Sequence, residues 1–558
     1  MEVLDSQLVV FVIAVLSGIL FRYLGVPSLI GQVTAGLLIG MSGFLGQKDV
    51  EVIKMMGNFG ITLLLFLVGL EMNWMEIKKV AKSALSIFTG QTLLTMLFFV
   101  ALMRLGLKQG MVPAVLLSVA LTFSSTIVVV KVLSGKKSLS SFPGMLSLGI
   151  LLLQDILAVV LLAVLPGFKN GVDWMMFGEL ILKIAGLFVL IEVIGHAFIS
   201  ILLREVIKNS EDLILFSLAW FFVSIMVAQK GFGLSIEVGS FLAGLSLSST
   251  WGHFQITNKI KTLRDVFLTL FFVVLGLEVG LGKINWATVA LLSSAVIIGK
   301  FAVTFFWSLV CGTGKRVAFL VAIYMTQISE FGLVVVGMGV VSGLWGSETA
   351  RVITVTGLVT MTVSTVLIGL SEQLYRIMHR RFGKIFGADK DKGRKTTDMR
   401  NHIVLLGGDR TGRSLISFLE NADLPFLVVD FNPDVVNSIL KKGGKALFAD
   451  AGDPDMIDHT NMKEARLIIS TIKNKEDSLT LLTELAHKKV STPVIVDAES
   501  VEEANELYEA GAAYVVFPHF VSGWHMSQII MKSIKDDRAF EKCRRKQSVA
   551  MKKIYEGR

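Results

Sequence analysis

Three short segments of this chain recur a little over two hundred residues downstream, and no other feature narrows its fold so far. Gly31-Gln32-Val33-Thr34-Ala35-Gly36 is matched by Gly239-Ser240-Phe241-Leu242-Ala243-Gly244, and Phe66-Leu67-Val68-Gly69-Leu70-Glu71 by Phe272-Val273-Val274-Leu275-Gly276-Leu277-Glu278. Thr122-Phe123-Ser124-Ser125-Thr126 falls opposite Thr326-Gln327-Ile328-Ser329-Glu330, so all three offsets lie between 204 and 208 residues. The segments sit in apolar surroundings. The 558 residues are 53% hydrophobic with only nine prolines, too apolar for a soluble protein of ordinary composition, and the excess is confined to residues 1–373.

Apolar runs punctuated by charged or Gly/Pro-bearing breaks give thirteen candidate spans, near 7–24, 28–45, 53–71, 83–105, 112–134, 142–166, 176–203, 213–230, 235–250, 262–281, 287–311, 315–342 and 349–372. The repeat offset covers seven of them. Seven is odd, so the second copy must thread the membrane upside down relative to the first. Six helices, a linker helix and six inverted helices make the architecture of a secondary transporter, with its site at the midplane where the repeats meet.

Charge sets the expected orientation. Basic residues gather in the loops after odd-numbered spans (Arg22, Lys78/Lys79/Lys82, Lys131/Lys136/Lys137, Arg204/Lys208, Lys259/Lys261/Arg264, Lys315/Arg316) and in the tail. The N-terminus is then outside and the C-terminal part cytoplasmic. The net charge of +9 reads as location, and nucleic acid is not an expected partner. The first span opens with Glu2 and Asp5, without a basic n-region, and reads as a retained helix. Two cysteines, Cys311 and Cys543, form no disulfide framework.

At the centre of the sixth span stand Gln154 and Asp155, in about 25 otherwise apolar residues from Phe142 to Pro166. A span of that length crosses a hydrocarbon core of ~30 Å, which puts Asp155 near the midplane. A charge there costs at least ~2.5–3.5 kcal/mol on insertion scales and is a functional candidate by default. The polar runs Thr122 to Thr126 and Thr326 to Glu330 lie mid-span in the fifth and twelfth helices, where they can satisfy backbone freed by a local break. The expectation is two interrupted helices crossing beside Asp155. Candidate ion-binding residues are Asp155, Gln154, Thr122, Ser125, Thr126, Ser329, Glu330 and Lys300. Lys300, mid-way along the eleventh span, is expected to pair with Asp155, Glu330 or a broken-helix carbonyl. Structural roles stand beside these: a helix-packing aspartate, hydroxyls bonded to the preceding turn, and a purely structural ion pair. Glu192 and His196, one turn apart in the linker helix, read as an interhelical hydrogen bond or a subunit contact.

The chemistry these residues suit is exchange. Removal from water penalises a bare carboxylate, so such a group is held occupied by either a proton or a hard monovalent cation. Hydroxyls, carbonyls and water complete the cation's shell. Competition for one carboxylate couples two gradients without any tightly bound metal.

Residues 374–398 read as a polar linker, 399–520 as a separate domain and 521–558 as a basic tail that is solvated, or lies on anionic lipid or a neighbouring subunit. Strands are expected at His402–Leu406, Pro425–Val429, Lys445–Phe448, Arg466–Ser470, Pro493–Val496 and Tyr514–Phe517, alternating with helices as in a doubly wound α/β Rossmann sheet. The first strand runs into Gly407-Gly408-Asp409-Arg410-Thr411-Gly412, and the second ends at Asp430. Those are the turn, helix N-terminus and ribose-binding acid of a nucleotide site. Asp409 replaces the second glycine of the fingerprint and would repel a diphosphate, which favours a monophosphate such as AMP over NAD(H). A sheet that binds nothing is the other reading.

At these residues the chain resembles the monovalent cation:proton antiporters, and within them the Kef-type potassium-efflux branch. Gln154-Asp155 looks like that branch's Gln-Asp motif. Val26-Pro27 through Gly40, Gly69-Leu70-Glu71, Leu121 to Thr126, Lys300 and Gln327 to Gly332 also fall where the family has its motifs. The resemblance implies a bacterial inner-membrane homodimer of thirteen-helix subunits moving in elevator fashion, with potassium preferred to sodium. By carry-over Asp155 is the ion-binding carboxylate, Gln154 its neighbour and Lys300 the basic residue of the core. Residues 399–520 resemble the RCK/KTN nucleotide-binding module, with Phe448-Ala449-Asp450-Ala451 as its acidic segment and Asp450 a second nucleotide contact. That likeness implies gating by nucleotide, and glutathione is an effector in some relatives. Two rivals follow. A ligand-gated potassium channel would need a filter loop such as Gly-Tyr-Gly, which the sequence lacks. A membrane-anchored nicotinamide-dependent oxidoreductase would need a substrate domain, for which about 120 residues of Rossmann unit leave little room. The chain is therefore not expected to be an enzyme.

Overall fold

A computed structural model describes residues 2–164, 210–382 and 399–535, apart from 25–27, 44, 72–73, 137, 140, 235, 249, 251–252, 281–283, 409, 451, 454–455 and 473, together with scattered residues of 179–193 and 540–548. Most of the seventh span, including Glu192 and His196, lies outside the described residues. The chain divides into two compact units, one of residues 1–132, 146–311 and 320–372, the other of 133–145, 312–319 and 373–558.

The first unit is helical. Among the described residues seven helices are long and apolar enough to cross a membrane by length and composition. Its helices include α1 (Glu2–Tyr23), α2 (Ser28–Ser42), α3 (Gln47–Glu71), α4 (Trp74–Ala101), α5 (Met111–Thr122), α6 (Thr126–Gly135) and α7 (Phe142–Val164). After the undescribed stretch come α8 (Ser210–Met226), α9 (Ile236–Ser248), α10 (His253–Gly280), α11 (Trp286–Ser294), α12 (Lys300–Val310), α13 (Lys315–Tyr324), α14 (Glu330–Val341) and α15 (Ser347–Gly369). The matched glycines explain why the repeated segments look alike. A Cβ on Gly36 of α2 would overlap the carbonyl of Val273 in α10, and one on Gly276 of α10 would overlap that of Val33 in α2. The other pair repeats the pattern, Gly69 of α3 against Phe241 of α9 and Gly244 of α9 against Phe66 of α3. Small residues let apolar helices approach backbone to backbone where no hydrophobic effect drives them together.

Two spans are interrupted where the sequence places its polar runs. Between α5 and α6 the chain leaves helical geometry at Phe123 (φ −64°, ψ 144°), and between α13 and α14 it does so at Ser329 (φ −82°, ψ 153°). A π-helical turn, Ala295–Gly299, joins α11 to α12 and ends just before Lys300. Such a turn inserts one residue per cycle and re-aims the side chains that follow. The last helix of the region, α16 (Ser371–Phe382), runs through the first part of the expected linker, and 383–398 lie outside the described residues.

In the second unit a parallel sheet has the order β3-β2-β1-β4-β5-β6. The strands are β1 (Ile403–Leu406), β2 (Phe426–Asp430), β3 (Ala446–Phe448), β4 (Leu467–Ser470), β5 (Val494–Asp497) and β6 (Tyr514–Val516). Each overlaps its sequence-based expectation. Runs such as Ile403-Val404-Leu405-Leu406 are buried along their whole length, as a strand covered on both faces requires. The order reverses between β1 and β4, the switch point at which open α/β sheets bind ligands. Helices α17 (Arg410–Asn421), α18 (Pro433–Lys441), α19 (Lys475–His487), α20 (Val501–Glu509) and α21 (Pro518–Lys535) complete it.

Candidate ion site at the helix breaks

Gln154 and Asp155 lie on consecutive positions of α7, both buried. Thr126, opening α6 just past the first break, donates its hydroxyl to Asp155 Oδ2 at 2.9 Å. Gln154 Oε1 accepts from the backbone N–H of Ser124 inside that break at 2.8 Å.

The two breaks are bonded to each other. Ser329 N–H donates to the Phe123 carbonyl at 3.0 Å, and Ser124 Oγ donates to the Met325 carbonyl at 3.0 Å. Gln327 is fixed by donating to the Tyr324 carbonyl at 3.0 Å and accepting from Ser364 Oγ at 2.6 Å. Of the three partners the sequence offered Lys300, the structure selects the carbonyls. Its Nζ donates to Phe123 O (3.1 Å), Gln327 O (2.7 Å) and Ser124 Oγ (2.9 Å), three oxygens for three N–H donors. Phe123 O and Gln327 O stand at the C-terminal, negative ends of α5 and α13, where a cation is stabilised. Glu330 answers it at the amide ends. As first residue of α14 it meets that helix's N-terminus, and it accepts from Ser125 and from the Ile127 N–H at the start of α6. Its Oε2 is buried with no hydrogen-bond partner among the described residues.

The remaining hydroxyls serve the helix termini. Thr122 Oγ1 bonds back to the Ser118 carbonyl at 2.8 Å, the structural reading the sequence left open. Ser125 Oγ accepts from Val128 N–H at 3.2 Å and Ser329 Oγ from Phe331 N–H at 3.1 Å, each capping a half-helix. Of these residues Thr126 donates its hydroxyl to the Asp155 carboxylate. Gln91 of α4, not singled out from the sequence, accepts from Gln154 Nε2 at 3.0 Å. The signal was present as Gly90-Gln91-Thr92, a polar step inside an apolar span.

At the sheet's carboxyl edge Gly407 turns at φ +90°, and Gly412 packs so tightly that a Cβ would overlap the Gly407 carbonyl. Arg410 and Thr411 open α17 between them. Asp430, ending β2, accepts from Gly408 N–H at 2.6 Å and from Asn432 N–H at 2.7 Å, so the acid faces the glycine turn as the fingerprint requires. Asp409 lies outside the described residues. Asp450, after β3, has an ion-pair partner that the sequence did not point to. Its Oδ2 accepts from Arg316 Nη1 at 2.5 Å, and Arg316 Nη2 donates to Asp477 Oδ1 at 2.6 Å. Arg316 is fully buried, and a Cβ on Gly452 would collide with its guanidinium, so the loop after β3 is shaped around that cation.

Paired interrupted helices that carry buried ionisable groups at their crossing define a secondary transporter. The chain belongs to the sodium/hydrogen exchanger family, whose transmembrane pattern matches residues 11–370, and a TrkA-N domain, a nucleotide-binding type, matches 403–518. It is similar to the glutathione-regulated potassium-efflux system proteins KefC of Shigella flexneri, at 24% identity over 498 residues (88% of this chain, 78% of that one), and of Klebsiella pneumoniae, at 25% over 500 residues (88% and 78%). The sodium proton antiporter MjNhaP1 of Methanocaldococcus jannaschii shares the transmembrane fold with a TM-score of 0.53 at 15% identity, covering 67% of this chain and 98% of that one. These relatives are transporters, not enzymes.

Proposed function

We propose that the protein exchanges a monovalent cation, potassium before sodium, for a proton, with Asp155 as the group for which the two compete. The observation that carries this reading is the Thr126–Asp155 contact at the first break. It puts a carboxylate, a hydroxyl and the exposed backbone of a broken helix in one buried place, and these are the hard oxygen donors that an alkali cation takes. The preference for potassium rests on the relatives' names. Lys300 and Glu330 hold the carbonyl and amide ends of the half-helices, with Gln154, Ser125 and Ser329 as supports, and Thr122 packs within its own helix.

In this reading residues 1–373 form thirteen spans in two inverted six-helix repeats, which the crosswise glycine packing of α2, α3, α9 and α10 supports. They assemble as a homodimer in a bacterial inner membrane, N-terminus outside, and the site passes between the faces by an elevator movement. Past a linker at 374–398, residues 399–520 form a cytoplasmic regulatory domain followed by the tail 521–558. This domain takes a nucleotide, AMP before NAD(H), at Gly407, Gly408, Asp409, Arg410, Thr411, Gly412 and Asp430, with Asp450 as a second contact, and glutathione is a second effector to test.

The experiment is proton flux in proteoliposomes under a pH gradient with potassium, sodium or neither. Wild type moves protons only when a cation is present, and Asp155→Asn does not move them. Proton movement that needs no cation, or an unimpaired variant, overturns the reading.

A further inference from the structure

Four buried groups form a chain leading away from the first break. Ser124 N–H donates to Gln154 Oε1 (2.8 Å), Gln154 Nε2 to Gln91 Oε1 (3.0 Å), and Gln91 Nε2 to Thr95 Oγ1 (3.3 Å). Gln91, Thr95, Ser124 and Gln154 are all fully buried. An amide's oxygen and nitrogen are hard to tell apart by shape, but here chemistry fixes every one. A backbone N–H can only donate, so Gln154 must turn its oxygen to Ser124 and its NH2 to Gln91. Gln91 must then turn its oxygen to Gln154 and its NH2 to Thr95. Thr92 Oγ1 adds a second donor to the Gln91 oxygen at 3.4 Å. The orientation is imposed from the break outwards and held from α4 inwards.

We infer that Gln91 is a positioning residue for cation exchange: by fixing the Gln154 amide it makes Gln154 the cap of the first break rather than a ligand of the cation. This rests on Asp155 as the exchange carboxylate and says what its neighbour does. The Gln154 oxygen accepts from Ser124 N–H and its NH2 is turned to Gln91, so the amide is oriented by the break and by α4, not by a cation. Thr126, two residues beyond Ser124, carries the hydroxyl that bonds Asp155, so the cap and the cation site share one turn of backbone. Position 90 ties α4 down beside this chain. A Cβ on Gly90 would collide with the Trp307 ring of α12, and Trp307 Nε1 donates to the Ser86 carbonyl at 3.1 Å. Gln91 is thereby held against the helix that also bears Lys300.

The test measures potassium-driven proton flux by the full-length protein in proteoliposomes as a function of potassium concentration. Gln91→Met keeps the length of the side chain but removes the acceptor. Its KM for potassium should rise about tenfold, the worth of one buried hydrogen bond, with the maximal rate within about twofold. Gln91→Glu still accepts from Gln154 and should stay within about threefold of the wild-type KM. If Gln91→Met does not fold, Thr95→Val, which removes only the far acceptor, should shift KM in the same direction by about two- to threefold. A merely structural Gln91 would lower the active fraction, and so the maximal rate, at unchanged KM. That outcome, or equal KM shifts for the Met and Glu variants, overturns the inference. Wild type without cation-dependent flux would instead overturn the exchange reading, and an inactive Asp155→Asn beside an unshifted Gln91→Met removes this inference alone.

Discussion

Two buried cations flank the half-helix α13 and are satisfied by opposite means. Lys300, bonded just past its C-terminal end, takes two backbone carbonyls and a hydroxyl, all neutral. Arg316, in its first turn, takes the carboxylates of Asp450 and Asp477. The difference is one of permanence. Backbone carbonyls are fixed by the fold and cannot be substituted away, so Lys300 belongs to the architecture of the crossing. Side-chain carboxylates can be removed or neutralised together with the charge they hold, so the arginine cluster is replaceable as a set.

The largest expected effect breaks the comparison on the arginine side. Arg316→Met alone leaves two buried carboxylates uncompensated and should cost about 3–5 kcal/mol, read as a fall in the melting temperature of the full-length protein. The triple variant Arg316→Met/Asp450→Asn/Asp477→Asn should recover most of that loss, and a triple variant as unstable as the single one would refute the contrast. Lys300→Met removes three buried hydrogen bonds, two of them to broken-helix carbonyls, and should cost roughly 3 kcal/mol together with exchange activity. Neutralising Asp155 or Glu330 as well should restore neither, because the partners of Lys300 are two backbone carbonyls and a hydroxyl, none of them charged. Asp430→Ala removes the acceptor of the Gly408 N–H at the glycine turn and of the Asn432 N–H after β2. It should cost about 2 kcal/mol and weaken the AMP binding proposed for this turn, read in calorimetric titration.

The smallest effect is a pH dependence at the base of the sheet. Burial holds the His402 imidazole below its ordinary range, with Lys445 adding to the fall and the Thr460 carbonyl opposing it. The unfolded chain therefore takes up the proton first. The contribution is complete above about pH 6.5 and is lost as pH falls from there toward the lowered folded value. The sheet domain should melt at lower temperature as pH falls below about 6.5 in wild type and show less of this dependence in His402→Gln.

How much of this the sequence carried depends on range. The breaks were legible because Ser and Thr runs interrupt otherwise apolar spans, and the strands because Ile and Val runs end at glycines. Both are local signals. Lys300 was legible as a midplane residue but not in its partner, since carbonyls freed by a break have no letter of their own. Arg316 read as one of a pair of basic loop residues, and only the packing of 312–319 with the sheet reveals it as fully buried. The ion-pair partner of Asp450 was hidden for the same reason, lying 134 residues away. Thr122 and Thr126 look equivalent in sequence, yet the turn of backbone between them sends one hydroxyl to its own helix and the other to Asp155.

In the proposed exchange one carboxylate holds a proton or a cation, never both. Adding potassium chloride to purified protein in weakly buffered detergent solution, with a pH indicator, reads this directly. Wild type should release protons with a saturating dependence on potassium that weakens as pH falls, and Asp155→Asn should release none. Potassium binding without proton release, or equal release from the variant, would contradict the account.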